Sequence, residues 1–202
     1  MAHAYHAFTK APSPGAPLIF AFHGTGGNEF QFNELIEQIR PDAGIVAPRG
    51  DVSEHGALRF FRRTGEGVYD MDDLEMRTTR MAAFIAECKA ENPGHPVFAL
   101  GYSNGANILA SVLFRQPDLF DKVALLHPLI PWKPDAQEGL KDKEILITAG
   151  ERDPICPLPL TEQLVSYFDR QGSRVETAYH PGGHEIRQGE LQALAQFLAA
   201  SA

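Results

Sequence analysis

The feature that most constrains this chain is an alternation. Short apolar runs of strand length are separated by stretches whose apolar residues recur at helical spacing. Residues 18–22, 45–47, 97–101, 122–126, 144–149 and 175–179 read as strands by length and composition. Several are apolar throughout, the pattern of strands covered on both faces. Between them run helical stripes: Phe32, Leu35, Ile36 and Ile39; Leu74, Met81, Ile85 and Cys88; Ala106, Leu109, Ala110 and Leu113; Leu160, Leu164, Val165 and Phe168; and Leu191, Leu194, Ala195 and Leu198. The second stripe opens near Asp70 to Asp73, where acidic side chains complement a helix N-terminus. Each stripe reads as core packing. Strands alternating with helices predict an α/β fold, a mostly parallel central sheet with helices on both faces. The site in such a sheet lies at the carboxyl ends of the strands.

The chain has 202 residues, 44% of them hydrophobic, which suits a single domain over 1–202 with a substantial core. Residues 1–16 are expected to be an N-terminal extension or an edge strand. The formal net charge of −8 argues against nucleic acid or an anionic membrane as partner, since both attract a basic face. No apolar run approaches the roughly 18 residues of a membrane span. The N-terminus lacks the basic and apolar regions of a signal peptide. Cys88 and Cys156 stand far apart, which argues against a disulfide framework and for a cytoplasmic location.

After the strand at 97–101 comes Gly101-Tyr102-Ser103-Asn104-Gly105, a G-x-S-x-G motif followed by a small-residue helix. In this arrangement a serine on a sharp strand-to-helix turn is lifted above the sheet, and glycines two positions either side avoid a clash. The motif alone is weak; its strand and helix context is the stronger part. Ser103 is the expected nucleophile.

A serine hydroxyl needs a histidine to take its proton and an acid to orient that histidine, in the chain order Ser, Asp or Glu, His. Asp153 lies just past the strand at 144–149, with Glu151 as a rival in the same loop. His184 follows Pro181-Gly182-Gly183, on a loop free to reach Ser103. His180 and His127 are its rivals, although His180, directly at a strand end, is placed to pack beside the sheet. The spacing of His180 and His184 also suggests a metal pair, but the intervening Pro-Gly-Gly denies them a common helical face, so no metal is expected. For the oxyanion hole, Asn104 offers the N–H after the nucleophile, and Thr25 in His23-Gly24-Thr25-Gly26-Gly27 is the second candidate donor. These glycines lack the G-K-[ST] of a phosphate loop.

As a set, HGTGG (23–27), APRG (47–50), RFFRR (59–63), GYSNGAN (101–107), the Asp153 loop and PGGHE (181–185) resemble the phospholipase/carboxylesterase family of α/β-hydrolases. Within it they resemble bacterial esterases akin to the hydroquinone-stress hydrolase. The resemblance runs from about residue 17 to the end. It implies a Ser103–Asp153–His184 triad, favours Asp153 over Glu151, and implies hydrolysis of carboxylic esters without a cofactor. The resemblance also leaves a homodimer open. Thioesterase relatives usually carry Gln after the nucleophile, where this chain has Asn104.

The span 127–143 is too short for a large cap domain. The longest connection, 49–70, is above the usual loop length and therefore a candidate for function. It carries Phe60 and Phe61 among Arg59, Arg62 and Arg63. The sequence-level expectation is that Phe60, Phe61, Leu129, Ile130 and Trp132 form an apolar pocket beside Ser103, with core packing the competing role for the phenylalanines. The expected activity is hydrolysis of small to medium carboxylic esters. An acyl-thioesterase or lysophospholipase is the alternative, and a non-catalytic binding protein on a hydrolase scaffold a more distant one.

Overall fold

The computed structural model describes residues 4–199. Its strands are β1 (Ala7–Lys10), β2 (Leu18–Phe22), β3 (Gly44–Pro48), β4 (Val52–Glu54), β5 (Ala57–Arg59), β6 (Arg63–Gly65), β7 (Val68–Tyr69), β8 (Val97–Tyr102), β9 (Lys122–Leu126), β10 (Glu144–Gly150) and β11 (Arg174–His180). The helices are α1 (Asn33–Ile39), α2 (Met71–Glu91), α3 (Asn104–Arg115), α4 (Leu158–Arg170) and α5 (Gln188–Ala199). Seven strands form one sheet in the order β1-β3-β2-β8-β9-β10-β11. Every neighbouring pair is parallel except β1 with β3.

The apolar runs are continuous because both faces of the sheet are covered. Along β2, Leu18, Phe20 and Phe22 point into one core with Phe84, Leu109 and Phe168. Ile19 and Ala21 point into the other, with Ile36 of α1 and Leu194 and Leu198 of α5. The two-residue alternation of a strand therefore feeds two apolar layers at once. Helix α2 begins where its acidic residues suggest: the Asp70 side chain accepts from the Asp73 N–H at 3.1 Å, and Asp72 and Asp73 fill the first turn. Such a cap satisfies an N–H that the helix itself leaves unpaired.

The long connection after β3 is not an open loop. It folds into two small antiparallel hairpins, β4–β5 and β6–β7. Between β9 and β10 there is only one short 3-10 turn, Glu138–Leu140, so no large cap covers the sheet edge. No helix among the described residues is long and apolar enough to cross a membrane.

Candidate active site

Ser103 sits between β8 and α3 with φ 52° and ψ −118°, a left-handed conformation that costs a non-glycine residue about 1–3 kcal/mol. Its flanking glycines make the turn sterically feasible. A Cβ on Gly101 would stand 2.6 Å from the Gly105 carbonyl oxygen, and one on Gly105 would overlap the carbonyl oxygens of Phe22 and His23. The turn therefore locks α3 against the end of β2 and lifts the serine over the sheet edge.

The chain order of strand ends brings Ser103, His184 and Asp153 together. His184 Nε2 lies 2.9 Å from Ser103 Oγ, and His184 Nδ1 lies 2.7 Å from Asp153 Oδ2. Asp153 Oδ1 accepts from the backbone N–H groups of Ile155 and Cys156 at 2.8 and 2.9 Å. Burial works against its charge, but these donors and the imidazoles of His127, at 2.9 Å, and His184 prevail and hold the carboxyl below the ordinary aspartate range. Glu151, the rival acid, is exposed.

Thr25 and Asn104 line the same cavity as Ser103. Asn104 is the first residue of α3, and N–H groups there have no intrahelical acceptor. The loop carrying Thr25 is held from two sides. Gly24 N–H donates to Gln31 Oε1 at 3.0 Å, and Arg59 Nη1 donates to Thr25 Oγ1 at 2.8 Å. His23 ties this loop to the end of β3: its Nδ1–H donates to Gly24 O at 2.7 Å and its Nε2 accepts the Gly50 N–H at 2.9 Å. Burial lowers the His23 pKa, which suits the neutral tautomer that these two bonds require.

The cavity above Ser103 measures about 310 Å³ and its walls are largely polar, including Arg59, Arg63, Glu66, Tyr69 and Asn107. Of the five residues expected to form an apolar pocket, Leu129 lines it. Phe60 and Phe61 do not: both are fully buried, Phe60 edge-on against Phe22 and Phe61 against Tyr69. The hydrophobic drive that makes phenylalanines candidate pocket walls is satisfied here by the core beneath the hairpins. Ile130 and Trp132 face away, into a separate groove of about 620 Å³ beside α4. Arg62 turns outward to Asp70 and Asp73, whereas Arg59 and Arg63 are paired with Glu54.

Several side-chain roles at the site go beyond what the motifs specify. Asn104 Oδ1 accepts from Phe60 N–H at 2.7 Å. Asn107 donates to Tyr69 Oη at 2.8 Å and accepts from Leu129 N–H at 2.7 Å, so the first turn of α3 fixes the cavity walls. The largest departure lies behind Asp153. His127, a candidate base from sequence, is wholly buried and points at the acid instead: its Nδ1 is 2.9 Å from Asp153 Oδ2 and its Nε2 is 2.8 Å from Glu190 Oε1. His180 stands 3.0 Å from the other Glu190 oxygen. Ligand atoms of His127, His180 and Glu190, and of His127, Asp153 and His184, gather within 4.8 Å. Their hydrogen-bonded pairs are closer than the roughly 3.3 Å between tetrahedral ligands at about 2.0–2.1 Å from a zinc ion, so they fit one another better than a cation.

The model of the serine aminopeptidase S33 family of hydrolases matches residues 13–143. The chain is 38% identical to MhqD of Bacillus subtilis (strain 168), a protein named as a hydrolase, over 93% of this chain and 94% of that one. A protein of unknown function from Agrobacterium tumefaciens strain C58 is 54% identical, with a TM-score of 0.90 and 96% of each chain covered. A Bacillus cereus carboxylesterase is 32% identical with a TM-score of 0.90, covering 96% of this chain and 93% of that one. With its sheet order, its serine turn and these relatives, the chain belongs to the α/β-hydrolase family that includes MhqD and bacterial carboxylesterases.

Proposed function

We propose that this hydrolase is a serine carboxylesterase acting on small to medium esters through an acyl-enzyme. The observation that carries the reading is the continuous contact from Ser103 Oγ through His184 to Asp153, at 2.9 and 2.7 Å, on a strained turn beneath an open cavity. Ser103 Oγ attacks the acyl carbonyl while His184 Nε2 takes its proton. Asp153 keeps the His184 Nδ1–H facing away from the serine and balances the cation that forms. The backbone N–H groups of Asn104 and Thr25 hold the oxyanion. His184 then returns the proton to the departing alkoxide, and water activated by the same histidine releases the acid.

The cavity supports small substrates. It holds only about 310 Å³ and is largely polar, and Phe60 and Phe61, which would have extended an apolar wall, are buried in the core. The likeness to a carboxylesterase at 32% identity supports ester over other acyl substrates.

The test is hydrolysis of a p-nitrophenyl ester series from acetate to palmitate by wild type and Ser103→Ala. Turnover that peaks at short chains and disappears in the variant is expected. A peak at palmitate would favour lipid or acyl-thioester substrates, and no turnover from folded protein would favour a binding role.

A further inference from the structure

We propose that His127 is a positioning residue for this chemistry: it stands as an imidazolium between Asp153 and Glu190, and with Glu190 it holds Asp153 ionised and aimed at His184. The inference rests on the reading of Ser103, His184 and Asp153 as the reacting set.

Both ring nitrogens of His127 face carboxylate oxygens, at 2.9 and 2.8 Å. An ionised carboxylate only accepts, and a neutral imidazole has a single N–H. A neutral ring would therefore turn one lone pair onto a carboxylate oxygen, so either the ring carries two protons or one carboxyl group is protonated. The surroundings favour two ionised carboxylates. Asp153 takes further donors from Ile155 N, Cys156 N and His184. Glu190 accepts from the Arg187 N–H at 2.7 Å. His180 accepts the Gly182 N–H at Nδ1 at 3.0 Å, and its Nε2 lies 3.0 Å from Glu190 Oε2 without the alignment of a hydrogen bond.

The remaining proton thus belongs to His127. The groups facing its ring are Asp153 from the loop after β10, Glu190 from α5, His180 from β11, His184 from the loop before α5, and Tyr102 from β8. Burial disfavours the His127 cation, but the two carboxylates outweigh it and raise the ring's pKa. The ring is also fixed through its backbone. His127 adopts φ 49°, its N–H donates to Thr148 O at 3.0 Å, and its carbonyl receives the Cys156 thiol.

The charge balance gives Glu190 its purpose. Two carboxylates and one imidazolium leave one buried negative charge, which is neutralised when His184 takes the Ser103 proton. Without Glu190, a cationic His127 would cancel Asp153, and the His184 cation would form beside a neutral pair. Glu190 thus lets His127 clamp the acid without silencing it.

The first measurement is nuclear magnetic resonance of protein labelled with 15N-histidine, from about pH 6 to about pH 9. One ring should keep protons on both nitrogens across the range, and that signal should vanish in His127→Asn. The second is the rate at which a fluorophosphonate inactivates Ser103, together with kcat and KM for p-nitrophenyl acetate. In Glu190→Gln both the inactivation rate and kcat should fall roughly tenfold with KM within about twofold, and the acid limb of the pH–rate profile should move. A singly protonated His127 ring in the wild type at about pH 7 overturns the proposal. So does a folded Glu190→Gln that is inactivated at the wild-type rate. A wild type that does not react with the fluorophosphonate at all would instead remove the serine-hydrolase reading beneath it.

Discussion

The hydroxyl of Tyr102 donates to the backbone carbonyl of His184 at 2.6 Å, and the two rings lie tilted on each other with centroids 5.3 Å apart. Tyr102, the residue before Ser103, therefore fastens the loop that carries His184, tying the end of β8 to a segment 82 positions further along the chain. Tyr102→Phe keeps the ring and removes only this bond. It should lower kcat by roughly fivefold, with KM nearly unchanged, and cost about 1 kcal/mol of stability. Steady-state kinetics and urea unfolding check both values; a kcat equal to wild type would leave the hydroxyl without a positioning role.

Gly105 allows the elbow to close on the end of β2. In Gly105→Ala the new methyl group meets the main-chain oxygens of Phe22 and His23, which cannot yield as a flexible side chain would. The expected cost is about 2–3 kcal/mol, or roughly 5–10 °C in melting temperature. Differential scanning calorimetry decides it, and a melting temperature within a degree or so of wild type would contradict this close packing.

Phe60 and Phe61 are core residues, so their substitution should read out in stability. Phe60→Ala or Phe61→Ala should cost about 3–5 kcal/mol. The milder Phe61→Leu should leave the ranking of p-nitrophenyl esters by kcat/KM unchanged. Leu129→Ala, in the cavity wall, should instead alter that ranking, since Leu129 alone of the five expected pocket residues lines the space above Ser103.

The buried cluster behind Asp153 predicts a stability optimum bounded on both sides. Asp153 and Glu190 have pKa values depressed against their burial by their hydrogen-bond donors. Their contribution is present above the unfolded values near 4 and is lost as pH falls through the depressed ones. His127 has a raised pKa, so its contribution is full below the unfolded value near 6.5 and is lost as pH rises through the folded one. Melting temperatures across pH should show the difference between wild type and His127→Asn shrinking toward alkaline pH. A constant difference would mean that the ring does not titrate between the folded and unfolded states.

Glycine spacing, apolar runs and chain order are local properties, and they determined a good deal by themselves. The strands at 18–22, 97–101 and 122–126, the turn at Ser103 and the order Ser103, Asp153, His184 follow from the two-residue period of strands and from where a parallel sheet exposes its ends. Tertiary structure decided the rest. Phe60 and Phe61 carry the same apolar signature whether they line a pocket or fill a core, and irregular hairpins have no periodicity to say which way a side chain points. His127 and Glu190 stand 63 positions apart, and neither belongs to a motif. Their meeting depends on α5 packing beneath the loops after β9 and β10, where two buried carboxylates can be accommodated only around a cation. The sequence holds every member of that cluster, but only the closed sheet makes them neighbours.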